Sequence, residues 1–301
     1  MNPIILGITL CIFSQVLFSS LYLFSYAMQP LTGSTIFALR IVVMMLGLWG
    51  LSLVSTNKQS IFSFIVNTLG KSFRRWVIML LGTCILGSQL WIFMWAPING
   101  EGLNVAMGYF LFPLVMVFAG KVVWQEKLSR LQLFALILAI CGILHELYRT
   151  YAFSWATLWV VLLYPPYYLS RRIMNIPTLP GLTLDLTLIA PFAVLYLLPQ
   201  QDVWQLISNE PRYWILLPLL GAVSALSMFF NILSSTILPM KLFGLLSYIE
   251  PALLFVISVT LLNIDMPVAA YITYGFIWSA LGVLAINSFI TPTAKKIKSI
   301  K

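Results

Sequence analysis

Residues 268–290, VAAYITYGFIWSALGVLAINSFI, contain not one charged side chain. About 20 such residues in a helix span the hydrocarbon core of a bilayer, where a helix satisfies its own backbone groups. Nine further apolar runs precede this one, near 4–26, 33–55, 75–97, 103–124, 130–148, 152–170, 182–199, 212–236 and 241–262. Tyr164-Pro165-Pro166-Tyr167 interrupts the sixth run, and Pro191 interrupts the seventh. Only 8% of the 301 residues are charged, against about 25% in a soluble domain. That is too little polar surface to coat a soluble globule. The expected fold is an all-α integral membrane protein of ten transmembrane helices.

The basic residues orient these helices, because Lys and Arg are retained on the cytoplasmic side. With the N-terminus inside, Lys58, Lys71, Arg74, Arg75, Lys121, Lys127, Arg130, Arg171, Arg172 and Lys241 fall in cytoplasmic connections. Lys295, Lys296, Lys298 and Lys301 add a basic tail, while the opposite face carries only Arg149 and Arg212. A missed or added helix would scramble this separation. Both termini are therefore expected in the cytoplasm. The net charge of +9 follows from the same bias. Scattered at helix ends, these charges form no continuous basic surface for nucleic acid.

Other classes drop out on composition. Cys11, Cys84 and Cys141 all lie in apolar runs without motif spacing, so packing fits them better than a disulfide framework. The first run lacks a charged leader and an A-x-A site, as expected of a retained helix. His145 is the single histidine, so a metal cluster of ordinary type cannot be built. Its place near an outer helix end suggests an interfacial structural role. No glycine-rich phosphate loop follows a strand. An enzyme or an ATP-driven pump is not expected, and no cofactor is implied.

A cut near residue 150 leaves five runs on each side, residues 1–150 and 151–290, followed by the basic tail 291–301. The halves end alike. FPLVMVFAGKVVWQEKLSRLQLFALILAICGIL (112–144) aligns with EPALLFVISVTLLNIDMPVAAYITYGFIWSALGVL (250–284). Pro113 matches Pro251, and Gly142 matches Gly282 with two extra residues between. An odd number of spans per half inserts the second copy upside down, as in the inverted repeats of many secondary transporters.

The runs GYFLFPLV, QEKLSRLQLFALILAICGIL, FGLLSYIEPALLFVISV and FIWSALGVL, with WIFMWAPING at 91–100, resemble the RarD proteins of the EamA branch of the drug/metabolite transporter superfamily. The resemblance covers nearly the whole chain and is most specific around 108–144. It implies ten helices in two inverted five-helix repeats, a plasma (inner) membrane location and export of a small metabolite or drug. It also implies that helices 1–4 and 6–9 surround the cavity, while 5 and 10 buttress it or mediate homodimer contact. The chain departs from the family pattern at two places. Asn263-Ile264-Asp265 stands where Gly-Glu is frequent, and Glu250 stands where a small or neutral residue is common.

Ionisable residues within membrane spans mark functional sites by default. Three are present: Arg40, Asp185 and Glu250. Asp185, a few residues into the seventh run, is expected to pair at the surface or interface with Arg171 or Arg172. Arg40 lies roughly 11 Å into the second run at 1.5 Å per residue. It can snorkel, pair with a carbonyl or acid, or take a substrate carboxylate in a two-pronged contact. Glu250 lies about 13 Å into the ninth run, too deep for its short side chain to reach water, and costs about 2.5–3.5 kcal/mol to insert. Either it binds a cationic substrate group or carries a coupling proton, or it is held in a static pair with Arg40 or by a tyrosine hydroxyl.

Aromatic and amide groups complete the candidate set. Trp91 and Trp95 share one face of the third run, with Gln89 near that stripe; Tyr109, Tyr164, Tyr168 and Tyr248 carry hydroxyls, and Asn231 an amide. Singly, these are packing or interface residues; together they suit an amphipathic, partly planar ligand. Pro113 and Pro251 free backbone carbonyls near Tyr109 and Ser247, which points either to the cavity or to simple bending. The function expected is a secondary transporter that exports small organic solutes, amino-acid-like metabolites or amphipathic drugs such as chloramphenicol, by alternating access. Its partners are then a small-molecule substrate, coupling protons and the lipid bilayer. An uptake or exchange permease, or a membrane sensor, is the alternative.

Overall fold

A computed structural model describes residues 3–54, 61–97, 99–151, 153–260 and 268–290. Lys58, the 263–265 break and the basic tail lie outside the described residues. Among those residues the fold is all-helical. The long elements are α1 (Pro3–Ala27), α2 (Gly33–Val54), α4 (Phe73–Trp95), α5 (Gly102–Trp124), α6 (Arg130–Thr150), α7 (Trp155–Ile173), α8 (Thr178–Leu197), α10 (Arg212–Ile237) and α13 (Val268–Ile290). Shorter ones are α3 (Ile61–Phe64) with a π-turn over Ile65–Leu69, α9 (Gln201–Asn209), α11 (Met240–Leu246) and α12 (Ile249–Thr260). Eight of the described helices are long and apolar enough to cross a membrane. The exceptions among the ten expected spans are α7, with Pro165, Pro166, Arg171 and Arg172 inside it, and the ninth.

The expected continuous ninth helix, 241–262, is two helices. The α11 helix ends at Leu246 and α12 starts at Ile249. Pro251 explains the break, since it donates no amide hydrogen to the turn before it. The amide of Ser247 turns back to the carbonyls of Phe243 and Gly244, both at 3.1 Å. Irregular backbone at this depth needs protein or water around it rather than lipid.

Local chemistry sets other boundaries. Ser129 starts α6 with a reciprocal capping box to Gln132, and Ser154 starts α7 with one to Thr157. Each satisfies amides that the first helical turn leaves without partners. Gln125 and Tyr151 end α5 and α6 in the left-handed conformation.

The main packing pairs are α1 with α10 and α12, α2 with α4, α8 and α10, α4 with α7 and α8, α5 with α7 and α11, and α6 with α13. Gly221 lets α10 approach α2, because a Cβ there would sit 2.9 Å from Val43. Gly142 does the same for α6 against α13, at 3.1 Å from Phe276. Its sequence counterpart Gly282 faces open space, so the match between the two glycines does not extend to packing.

Asp185 departs from its expected surface pairing. It does pair with Arg171, at 2.5 Å, but both residues are buried, 1% and 3% exposed. Thr83 Oγ1 donates to its Oδ1 at 2.6 Å and Tyr167 to its Oδ2 at 3.2 Å. The pair therefore ties α4, α7 and α8 together. The sequence distance to Arg171 could not reveal the burial of the pair or the partner on α4. His145 sits in another polar contact, 2.9 Å from Thr273 Oγ1, which donates to Glu146 at 2.7 Å.

Candidate functional site

A cavity opens between the two halves of the chain. Gln15 and Phe18 enter it from α1, Arg40 from α2, and Gln89, Leu90 and Phe93 from α4. Tyr109 and Phe112 come from α5, Tyr164 and Tyr168 from α7, and Asn231 from α10. Ser247 at the α11–α12 break and Glu250 and Pro251 on α12 close the remaining side. It has room for a few waters. A metabolite or drug needs the helices to part.

Seven of the expected site residues thus share one cavity: Arg40, Gln89, Tyr109, Tyr164, Tyr168, Asn231 and Glu250. Trp91, Trp95 and Tyr248 do not line it. The two indoles stack on each other with centroids 5.0 Å apart, and Trp91 Nε1 donates to Ser34 Oγ at 3.2 Å. Tyr248 is buried in a cluster with Met107, Phe110 and Leu245. The reason is helical geometry. Residues two apart face different sides of a helix, so Gln89 with Phe93, four apart, forms the cavity stripe while Trp91 and Trp95 face elsewhere. Tyr248 lies in the break between α11 and α12 and turns to that other cluster.

Arg40 is 1% exposed. Its Nε donates to Ser224 Oγ at 2.8 Å, and its guanidinium lies 5.8 Å from the Phe93 ring centre. Nη1 is buried with no hydrogen-bond partner. Snorkelling is excluded by this burial, and no acid pairs with it among the described residues. Glu250 is held at its backbone, where Ser19 Oγ donates to its carbonyl at 3.3 Å. Its carboxylate makes neither an ion pair nor a hydrogen bond with a described residue. The static pair with Arg40 and the tyrosine bond are both absent.

The remaining walls are aromatic and partly self-satisfied. Tyr164 packs against Phe112 at 5.2 Å and against Tyr109 at 6.4 Å, and Phe93 meets Tyr109 edge-on at 5.8 Å. Tyr168 donates to Asn231 Oδ1 at 2.6 Å, and Asn231 donates to Ser14 Oγ at 3.3 Å. Gln89 gives its amide hydrogen to the Trp159 carbonyl at 3.2 Å, leaving Oε1 buried and unpartnered.

Sequence reasoning missed Gln15, Phe18, Leu90, Phe93 and Phe112, and reached Ser247 only through the carbonyl that Pro251 frees. A helical-wheel argument from Gln89 finds Phe93, and from Tyr109 finds Phe112. Gln15 had a weaker signal, an amide in an otherwise apolar run. Pro251 lines the cavity, whereas the Pro113 carbonyl would stand 2.9 Å from a Cβ at Gly244, at the contact of α5 with α11. Neither α6 nor α13 contributes to the lining. Nor does α8, which packs behind α2 and α4.

No family model matches the chain. It is 49% identical over 298 residues to an uncharacterized transporter of Haemophilus influenzae, covering 99% of both chains. It is 35% identical over 292 residues to the chloramphenicol-sensitive protein RarD of Pseudomonas aeruginosa, covering 91% of this chain and 92% of that one. The chain belongs to the RarD family. This RarD-type protein is thus a multi-pass membrane transporter of the EamA branch of the drug/metabolite transporter superfamily. A solved crystal structure, described only as that of a protein, shares its fold at a TM-score of 0.68 and 16% identity, over 94% of this chain and 97% of its own.

Proposed function

We propose that this protein is a secondary transporter that exports small organic solutes across the plasma membrane by alternating access. One observation carries the reading: a group of each sign lines one cavity, and the two form no salt bridge with each other. Arg40 has an Nη1 without a hydrogen-bond partner. Charges in a low-dielectric interior are costly unless something bound there meets them. A zwitterion with an aromatic or apolar body meets both poles and the ring-lined wall between them. An amphipathic drug meets the same wall through amides and hydroxyls, and the name of the Pseudomonas relative brings chloramphenicol into that class. In exchange for the substrate, Glu250 carries a proton.

Alternating access is proposed to run on ten spans in two inverted repeats, 1–150 and 151–290, with the tail 291–301 and both termini cytoplasmic. The packing supports this. Exchanging α1 with α7, α2 with α8, α4 with α10, α5 with α11–α12 and α6 with α13 maps the most extensive helix pairings onto one another or onto themselves. The contact of α1 with α10 becomes that of α7 with α4, and α2 with α10 becomes α8 with α4. The α6–α13 pair, outside the lining, is proposed as the buttress or dimer contact.

Reconstitution in proteoliposomes tests the reading. Counterflow of a zwitterionic amino acid or chloramphenicol should rise with an imposed pH gradient. Glu250→Gln keeps the shape and removes the charge, so it should abolish the pH dependence while leaving membrane abundance near normal. Undiminished transport with unchanged pH dependence would leave Glu250 a structural acid.

A further inference from the structure

Gln15 is 1% exposed and lines the cavity, and its Oε1 is buried without a hydrogen-bond partner. Its Nε2 is turned back along α1 to Cys11 Sγ, 3.9 Å away. A buried carbonyl oxygen with no donor is destabilising, whereas leucine fills similar space without that penalty. Gln15 lines the cavity, so a molecule taken up there can supply the donor that its Oε1 lacks.

The neighbours of Gln15 indicate what that donor is attached to. Ser19, one turn further along α1, has its hydroxyl 2.8 Å from the Gln15 carbonyl and 3.3 Å from the Glu250 carbonyl. One hydroxyl touching both backbones holds α1 and α12 side by side at this level. Gln15 and Glu250 therefore line one cavity from neighbouring helices, and the Gln15 Oε1 and the Glu250 carboxylate are both acceptors. Two acceptors in the wall of one cavity, one of them charged, match a cation carrying several N–H bonds. A quaternary ammonium supplies the charge but has no hydrogen to give.

We propose that Gln15 and Glu250 form a subsite for the primary ammonium group of the substrate, with Gln15 distinguishing it from fully alkylated cations. The proposal rests on the reading that Glu250 faces the substrate's cation. Sites built to hydrogen-bond a donor reject analogues lacking it, because the site's own polar group is then left unpaired.

The test uses the full-length protein in lipid nanodiscs with phenethylamine and N,N,N-trimethylphenethylammonium. Each offers one aromatic ring and one positive charge, and neither has a carboxylate for Arg40. Binding is read as a ligand-dependent rise in the thermal transition. The wild type should bind the primary amine about tenfold more tightly, the scale of one hydrogen bond to a charged donor. Gln15→Leu should shrink that preference about tenfold, leave the quaternary cation's affinity unchanged and not lower the unliganded transition. A preference due to size alone would survive the substitution. Gln15→Met serves where leucine does not fold, and the wild-type pair decides without either variant. Equal wild-type affinities, or a preference that persists in the variants, overturn the Gln15 assignment. Loss of both cations in Glu250→Gln would then leave the charge reading standing. Failure of both cations to bind the wild type overturns the reading of Glu250 and this proposal with it.

Discussion

Arg40 and Asp185 are both ionisable groups inside apolar helices, and their surroundings separate their roles. Asp185 has an Arg171 partner and two hydroxyl donors, the arrangement of an acid satisfied by structure. Replacing Asp185 with Leu leaves Arg171 buried and unpaired, which should lower stability by about 3–5 kcal/mol. Replacing both with leucine should cost less than that single change, as measured by thermal unfolding of the purified variants. Arg40 has one bond, to Ser224, and an idle Nη1. Arg40→Lys removes the planar fork and should weaken transport of a zwitterionic or acidic substrate roughly tenfold or more, with abundance retained. Equal losses of abundance and transport would make Arg40 structural. The sequence separated these residues from the lipid-facing background. It also named Arg171 as a partner of Asp185, but not the burial of that pair, the Thr83 bond or the Ser224 bond of Arg40, because those depend on residues more than a hundred positions away.

At the scale of elements, the break between α11 and α12 is the feature to which most else connects. The first piece, α11, begins against the α5–α6 connection. The Glu126 carboxylate accepts from the amides of Met240 and Lys241, both at 2.9 Å, and Lys241 Nζ donates to the Lys127 carbonyl. A carboxylate there satisfies two amides that begin a helix and meets the positive end of its dipole. Its second piece, α12, begins at the cavity with Glu250. Glu126→Ala should therefore lower stability by about 1–3 kcal/mol and raise the reactivity of a cysteine placed at Met240 towards a water-soluble thiol reagent. Unchanged reactivity would mean that α11 is held by packing alone. The Ser129 and Ser154 caps could be read from the sequence, as short-range patterns. The Glu126 contact could not, since its two partners are more than a hundred residues further along.

For the whole molecule, the orientation rests on basic residues, and reporter fusions test it. Fusions near residues 71 and 171 and at residue 301 should report cytoplasm, and those near 100 and 205 the opposite side. An outside signal from residue 301 would end the ten-span reading. By itself the sequence determined the solvent, the helical class and the family, because each depends on apolar length, composition or motifs read along the chain. It also supplied most of the polar residues of the cavity, since an ionisable or amide group in an apolar helix stands out whatever it touches. Tertiary structure decided which faces meet. It turned Gln89 and Phe93 inward while Trp91 and Trp95 stack on each other, broke the 241–262 run before Pro251, buried the Asp185–Arg171 pair, and left Arg40, Gln15 and Glu250 with bonds still to make. Side-chain direction turns by about 100° per residue along a helix, so a reading that places a residue at the right depth can still face it away from the cavity.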